Sequence, residues 1–531
     1  MIKIDNDICY ISAGEACYIF KIVDGVPMHV YFGKRVEPED DLTALGLGGE
    51  TKELCVQAVE GGKKKDLDLT VTEAWIMTDD DGNSKSLVVE LLGRSAGLKA
   101  TMYYIPHPRG GISRRIKIKH TDSEDIKLAL VRQSLGCGIA ENAESKANGF
   151  FAACGGDNGD AYGFLCPNGD GNVAVKSGTV TCDTMGGVTL CDIGEELECP
   201  ELLCVYSDIG RGGASRVFHD ILREDNSDVS ERAAVLFLPK MECKQIVAAV
   251  KAAGELGFGV VALDGGMQTR DEISALGMAC RENGLIAGLR ITRERIEEQS
   301  ALRTNICKAY DGIYKYDNSD KHTAMLYHAV RYSLSNFDIK YVMIDGNENA
   351  TSSDTARGMF ALRNMIKNEF DGVRVDFGLQ SDDVRAYTAY YPLGFIRNTV
   401  NPDPPENFKS RFDVASLGAL GYRFNPMALS DGIKRAVRAQ ILAYQDDARC
   451  VLRGDLYCDG ACRMAVRKDK SRAYSVCFTK GERVKFFGLD EHNLYHVREL
   501  NKTFSGAALV HCGIAVGEGT SVFHILQVAD Y

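Results

Sequence analysis

No stretch of this chain approaches the roughly 18 consecutive apolar residues that a membrane-spanning helix needs. The opening residues, Met1-Ile2-Lys3-Ile4-Asp5-Asn6-Asp7, place acidic side chains where a signal peptide would carry its apolar centre. Positive charge is also short: 62 Lys and Arg stand against 74 Asp and Glu, a net −12. The run Lys63-Lys64-Lys65 is brief and reads as solvated, so a nucleic-acid partner is not expected. Metal-ligand spacing is missing. Of 18 cysteines, the close pairs Cys199/Cys204 and Cys458/Cys462 lack CxxC spacing, and no histidine stands beside them at zinc-ligand distance. These absences point to a cytoplasmic protein with reduced thiols, without a zinc site and without a membrane or nucleic-acid partner. No internal repeat and no low-complexity segment is found. Tryptophan is nearly absent, with Trp75 the only one.

What is present sorts into three textures. With 531 residues the chain is too long for one ordinary domain. Residues 1–230 carry short β-branched and aromatic runs, such as Cys17 to Val23 and Met28 to Phe32, parted by Gly/Asp/Asn turns, and predict an N-terminal antiparallel β-sandwich. The segment Gly155 to Asp160 reads as a loop or hairpin tip; it lacks the spacing and terminal Glu of a calcium loop. Arg216 to Leu222 reads as a helical linker.

From about 231 to 455 strands and helices alternate. Ala234–Leu238, Val260–Asp264, Leu285–Ile291 and Ile339–Asp345 read as strands, and Gln245–Gly254, Asp271–Asn283 and Thr323–Ser335 as helices. That alternation over this length predicts a central (β/α)8 TIM-type barrel. Residues 456–531 return to short strands and predict a small C-terminal β-sandwich.

In a barrel of this kind, polar side chains at the C-terminal ends of strands face the site. Asp264, Arg290, Asp345 and Asp382 qualify by position. The run Tyr341-Val342-Met343-Ile344-Asp345 is an apolar strand ending in a carboxylate, with a Gly/Asn turn after it. Paired carboxylates suit acid/base or nucleophile/acid chemistry; an Asp at a strand-to-helix junction can equally cap the next helix. Arg290 reads either as a reader of an anionic group or as the ion-pair partner of a nearby Asp. Asn347, Asp383 and Arg397 are further candidates for substrate contact, and His219 and His511 read as structural.

Local blocks along nearly the whole chain resemble glycoside hydrolase family 36, the melibiase-type α-galactosidases. Tyr31 to Arg35 is similar to the family's "YYGKR" hairpin, Val260 to Met267 to "LFVLDDGW", Gly284 to Glu294 to "GLKFGLWFEPE", and Tyr341 to Glu348 to "YIKWDMNR". Arg411 to Tyr422 follows "RFHVAMFGTLGYE" and is the most specific block. The resemblance implies a retaining α-galactosidase-like enzyme acting on a small carbohydrate, with no metal or organic cofactor. Asp345 would be its nucleophile and Asp382 its acid/base, with Asp383 or Asp376 as alternatives to Asp382. Asp264 would hold sugar hydroxyls. A retaining pair needs its two carboxyls about 5 Å apart. The resemblance also implies a homo-oligomer assembled through the N-terminal sandwich.

The chain departs from the family pattern at several points. The family's strand-four Lys and Trp are Met343 and Ile344, the second Asp and the Trp of "DDGW" are Gly265 and Met267, and the Trp of "WFEPE" is Arg290. The 37 or so residues from Asp345 to Asp382 are too few for two strand–helix units. These departures keep two further readings open: a non-catalytic carbohydrate-binding pseudoenzyme of the same fold, and a glycosidase shifted to an anionic sugar.

Overall fold

The computed structural model describes residues 1–38, 44, 51–78, 85–137, 144–146, 151–167, 171–184, 188–224, 233–264, 269–292, 327–328, 330–345, 362–363, 365–378, 396–403, 407–459 and 462–528. They fall into two compact units, one holding Met1–Ile221 and the other the described residues from Leu222 onward.

The first unit is built from antiparallel sheets of five, nine and six strands. Alternation along the strands sets its faces. On the strand Gly111–His120, Ile112, Arg114, Ile116 and Ile118 are buried while Arg115 and Lys119 are exposed. Arg114 therefore points inward, and a charged residue there needs partners. It finds Glu53, whose carboxylate is fully buried and lies 3.7 Å from the Arg114 guanidinium. The Tyr18 and Tyr104 hydroxyls donate to the two Glu53 oxygens, and Arg114 donates to the Ser134 carbonyl at 3.1 Å. The guanidinium also lies over both tyrosine rings, 5.4 and 5.6 Å from their centroids. Tyr18 comes from the five-stranded sheet, Tyr104 and Arg114 from the nine-stranded sheet and Ser134 from the six-stranded sheet, so one polar cluster ties all three. Burial pushes the Glu53 carboxyl above its ordinary range, and the neighbouring Arg114 guanidinium opposes that.

In the second unit, seven parallel strands pair in chain order: β1 (Val235–Leu238), β2 (Val260–Asp264), β3 (Ile286–Thr292), β4 (Ile339–Asp345), β5 (Arg374–Gly378), β6 (Ile396–Val400) and β7 (Ala419–Arg423). Strand β7 pairs back onto β1 at Val235↔Gly421, which closes the ring. The expectation was eight strands. Among the described residues the ring has seven, because β5 pairs directly with β6 at Phe377↔Ile396 and Gly378↔Arg397. The alternation that made these runs legible also divides them. Val235, Phe237, Val260, Ala262, Tyr341 and Met343 form the interior cluster. Leu236, Leu238, Val261, Leu263 and Leu289 turn outward, into the core shared with the helices.

Helix α1 (Cys243–Leu256) buries Ile246, Ala249, Val250, Ala253 and Leu256, the stripe expected of an amphipathic helix. It ends at Gly257, whose φ of +94° suits a residue without a side chain. Helix α2 (Arg270–Glu282) starts with a capping box: Glu272 donates its N–H to Thr269 Oγ1 at 3.2 Å, and Thr269 donates its N–H to the Glu272 carboxylate at 2.8 Å. After β7 comes the long helix α3 (Asp431–Arg453). Beyond it lies an antiparallel six-stranded sheet with a separate two-stranded ribbon. Among the described residues no helix is long and apolar enough to cross a membrane.

Candidate functional site

The ring's register sets four side chains on one level. Asp264 of β2 is opposite Arg290 of β3, Arg290 is opposite Met343 of β4, and Met343 is opposite Asp376 of β5. One step further along, Asp345 pairs with Thr292 and Gly378. The C-terminal ends of β2, β3 and β4 thus bring Asp264, Arg290 and Asp345 to one end of the ring. Asn347, Asp382 and Asp383 lie outside the described residues.

Asp264 is almost completely buried and is held from two sides. Arg290 Nη1 donates to Asp264 Oδ1 at 2.6 Å, and Arg423, the last residue of β7, ion-pairs with Oδ2. The Arg290 guanidinium also lies 5.9 Å from the centre of the Phe237 ring. The reading of Asp264 as a helix cap does not hold, because Thr269 caps α2. The alternative reading of Arg290, an ion pair with a nearby Asp, is what the structure has. Arg290 is 15% exposed and Arg423 is 46% exposed, so the cluster opens to solvent on the arginine side.

A second pair lies in the same ring. Arg397 Nε donates to Asp376 Oδ2 at 2.7 Å, and its Nη1 donates to the Leu420 carbonyl. Both side chains are about 2% exposed, and Arg397 lies over the Tyr341 ring at 5.4 Å. Arg397 thus engages Asp376 and a backbone oxygen. Asp376 in turn is the ion-pair partner of Arg397.

Arg423 went unnoticed in the sequence, although its signal was of the same kind as that of Asp264: a charged residue ending an apolar strand run. His219 is buried, and His511 sits at the surface 3.0 Å from Glu491. Among the described residues no group of three or more His, Cys, Asp or Glu stands together to hold a metal ion.

None of the described candidates lines a cavity of about 610 Å³ walled by residues that include Phe412, Tyr444, Asp447, Tyr474 and His524. There His524 Nε2 lies 2.9 Å from Asp447 Oδ2, its Nδ1 is bound by Glu499, and Arg472 takes the other Asp447 oxygen at 2.5 Å. Burial works against the imidazolium. Hydrogen bonds to Asp447 and Glu499 outweigh it and lift His524 from 6.5 to about 9.

No family model matches the chain. It is 22% identical over 435 residues to the α-galactosidase AgaA of Geobacillus stearothermophilus, a stretch covering 62% of this chain and 59% of that protein. A crystal structure of AgaA, a family 36 α-galactosidase, in complex with raffinose superposes with a TM-score of 0.73 at 18% identity, covering 98% of this chain and 100% of that one. The chain is 28% identical over 160 residues to the bifunctional α-galactosidase/sucrose kinase AgaSK of Mediterraneibacter gnavus, covering 26% of this chain and 17% of that protein. The galactosidase domain of AgaSK superposes with a TM-score of 0.77 at 17% identity, covering 99% of this chain and 100% of that domain. The sequence matches thus span less than two thirds of either relative. The fold is that of the family 36 α-galactosidases, and the chain is a divergent relative of theirs.

Proposed function

We propose that this divergent relative of the family 36 α-galactosidases is itself a glycoside hydrolase, cleaving an α-galactoside-like substrate with retention. The observation that carries the reading is the closed parallel ring in which Asp345 ends β4, at the same end as Asp264 and Arg290. In the proposed mechanism Asp345 attacks the anomeric carbon while Asp382 protonates the leaving oxygen. Water then releases the glycosyl–enzyme ester, with Asp382 taking up the water proton. No metal or organic cofactor takes part. The cytoplasmic location belongs to the same proposal.

A second reading of the substrate has its own support. The carboxylate expected to hold sugar hydroxyls is held by two guanidiniums, Arg290 and Arg423. Two cations against one carboxylate favour an anionic group on the substrate, which an arginine fork can grip with paired hydrogen bonds. The test is hydrolysis of an aryl α-galactoside beside its galacturonide and 6-phosphate counterparts, by the wild type and by Asp345→Ala. Turnover of the neutral glycoside that Asp345→Ala abolishes supports the first reading. Preference for a charged glycoside supports the second. No turnover of any of them, with a sugar still raising the melting temperature, would sink both in favour of a pseudoenzyme.

A further inference from the structure

The glycosidase reading leaves the cysteines unused, yet several described ones stand in pairs, two of these pairs with closely spaced sulfurs. Cys462, on the strand Cys462–Val466, is the direct register partner of Cys477 on the strand Arg472–Lys480. Their Sγ atoms are 2.8 Å apart. In the N-terminal unit the Sγ atoms of Cys166 and Cys182 are 3.2 Å apart. Both separations are inside the ~3.5–4.0 Å at which non-bonded heavy atoms pack best. The pair in the C-terminal sheet has backbone geometry in its favour as well. Directly opposed residues of an antiparallel pair have Cα atoms about 4.5–5.5 Å apart. That lies inside the roughly 4.4–6.8 Å window of a disulfide, so the bond needs no movement of the strands. Both side chains are buried, at 2% and 0% exposure, in the core that Met464, Phe486 and Phe523 share.

We propose that Cys462 and Cys477 are a redox couple that closes into a cross-strand disulfide under a disulfide oxidant such as oxidised glutathione. One thiol, losing its proton, attacks the oxidant's sulfur and expels one glutathione thiolate. The second cysteine then loses its proton, attacks the mixed disulfide at the protein sulfur and expels the second. The two cysteine sulfurs are oxidised by two electrons in total, and the oxidant is reduced to two molecules of glutathione, which carry away the two protons. The product staples two adjacent strands of the C-terminal sheet, and the chain becomes harder to unfold. Because both thiols are buried, closure is slow and follows transient opening of the sheet.

The full chain is incubated with oxidised glutathione, blocked with an alkylating reagent under denaturing conditions, digested without reduction and mapped by mass spectrometry. A linked Cys462–Cys477 peptide is expected, with a melting temperature raised by several degrees and restored by dithiothreitol. The double variant Cys462→Ser, Cys477→Ser should show neither change. Full alkylation of both cysteines after oxidation would overturn the proposal. So would linkage confined to Cys166–Cys182.

Discussion

The two units solve the problem of a buried charge in different ways. In the antiparallel unit, Glu53 and Arg114 are sealed: both are at most 1% exposed, and hydroxyls, a carbonyl and two ring faces fill the space around them. In the ring, Asp264 is equally buried, but its partner Arg423 is nearly half exposed. A sealed cluster can only hold sheets together. An open one can exchange a partner for a ligand, because the arginine already reaches water. The same pairing of side-chain types is therefore a fastener in one unit and a candidate recognition element in the other.

The sharpest way to test that contrast is to remove the sealed cation. Arg114→Ala strands the Glu53 carboxylate without water, and it should cost about 3–5 kcal/mol in denaturant unfolding. A loss below 1 kcal/mol would mean that the cluster is wetter than its exposure says. Next comes Arg397→Met, which leaves Asp376 unpaired inside the ring; a loss of about 3 kcal/mol is expected, since this pair is as closed as the first although it lies in the second unit. Arg423→Ala is the counterpart at the open cluster. Solvent screening should hold its cost within about 1 kcal/mol, while discrimination between charged and neutral glycosides falls. If unfolding cost and selectivity were instead to move together, the open cluster would be a fastener too. A pH-dependent effect concerns His524, whose two carboxylate neighbours make it intermediate between sealed and open. Its folded-state value is raised, so its stabilisation is fully present below pH 6.5 and is lost as pH rises through about 9. Unfolding midpoints of the wild type and His524→Gln should therefore converge across that interval.

The alternating strands and helices were readable because apolar runs ended in polar residues, and the register follows from the same runs. The predicted strands at 234–238, 260–264 and 339–345 lie within a residue of those observed. The number of strands was not readable, since length alone does not say that β5 pairs directly with β6. Arg290 and Asp264 could be placed at the ends of neighbouring strands, but the engagement of Asp264 by Arg423 depends on β7 returning beside β1, a contact far apart in the chain. Arg114 could have been flagged, because it falls in step with Ile112, Ile116 and Ile118. Its partner Glu53 could not: nothing local links a carboxylate at 53 to a strand at 111–120.

The pairing of Val235 with Gly421 also has a kinetic consequence. Strands β1 to β3 with α1 and α2 form from neighbours in sequence, so their loops close at little entropic cost. The last seam joins residues at opposite ends of the ring region, and nothing rewards it until the intervening chain is ordered. The nascent chain therefore holds an open, curved sheet with two bare edges until β7 emerges. That interval, more than the finished ring, is when aggregation threatens and when chaperone contact would matter most.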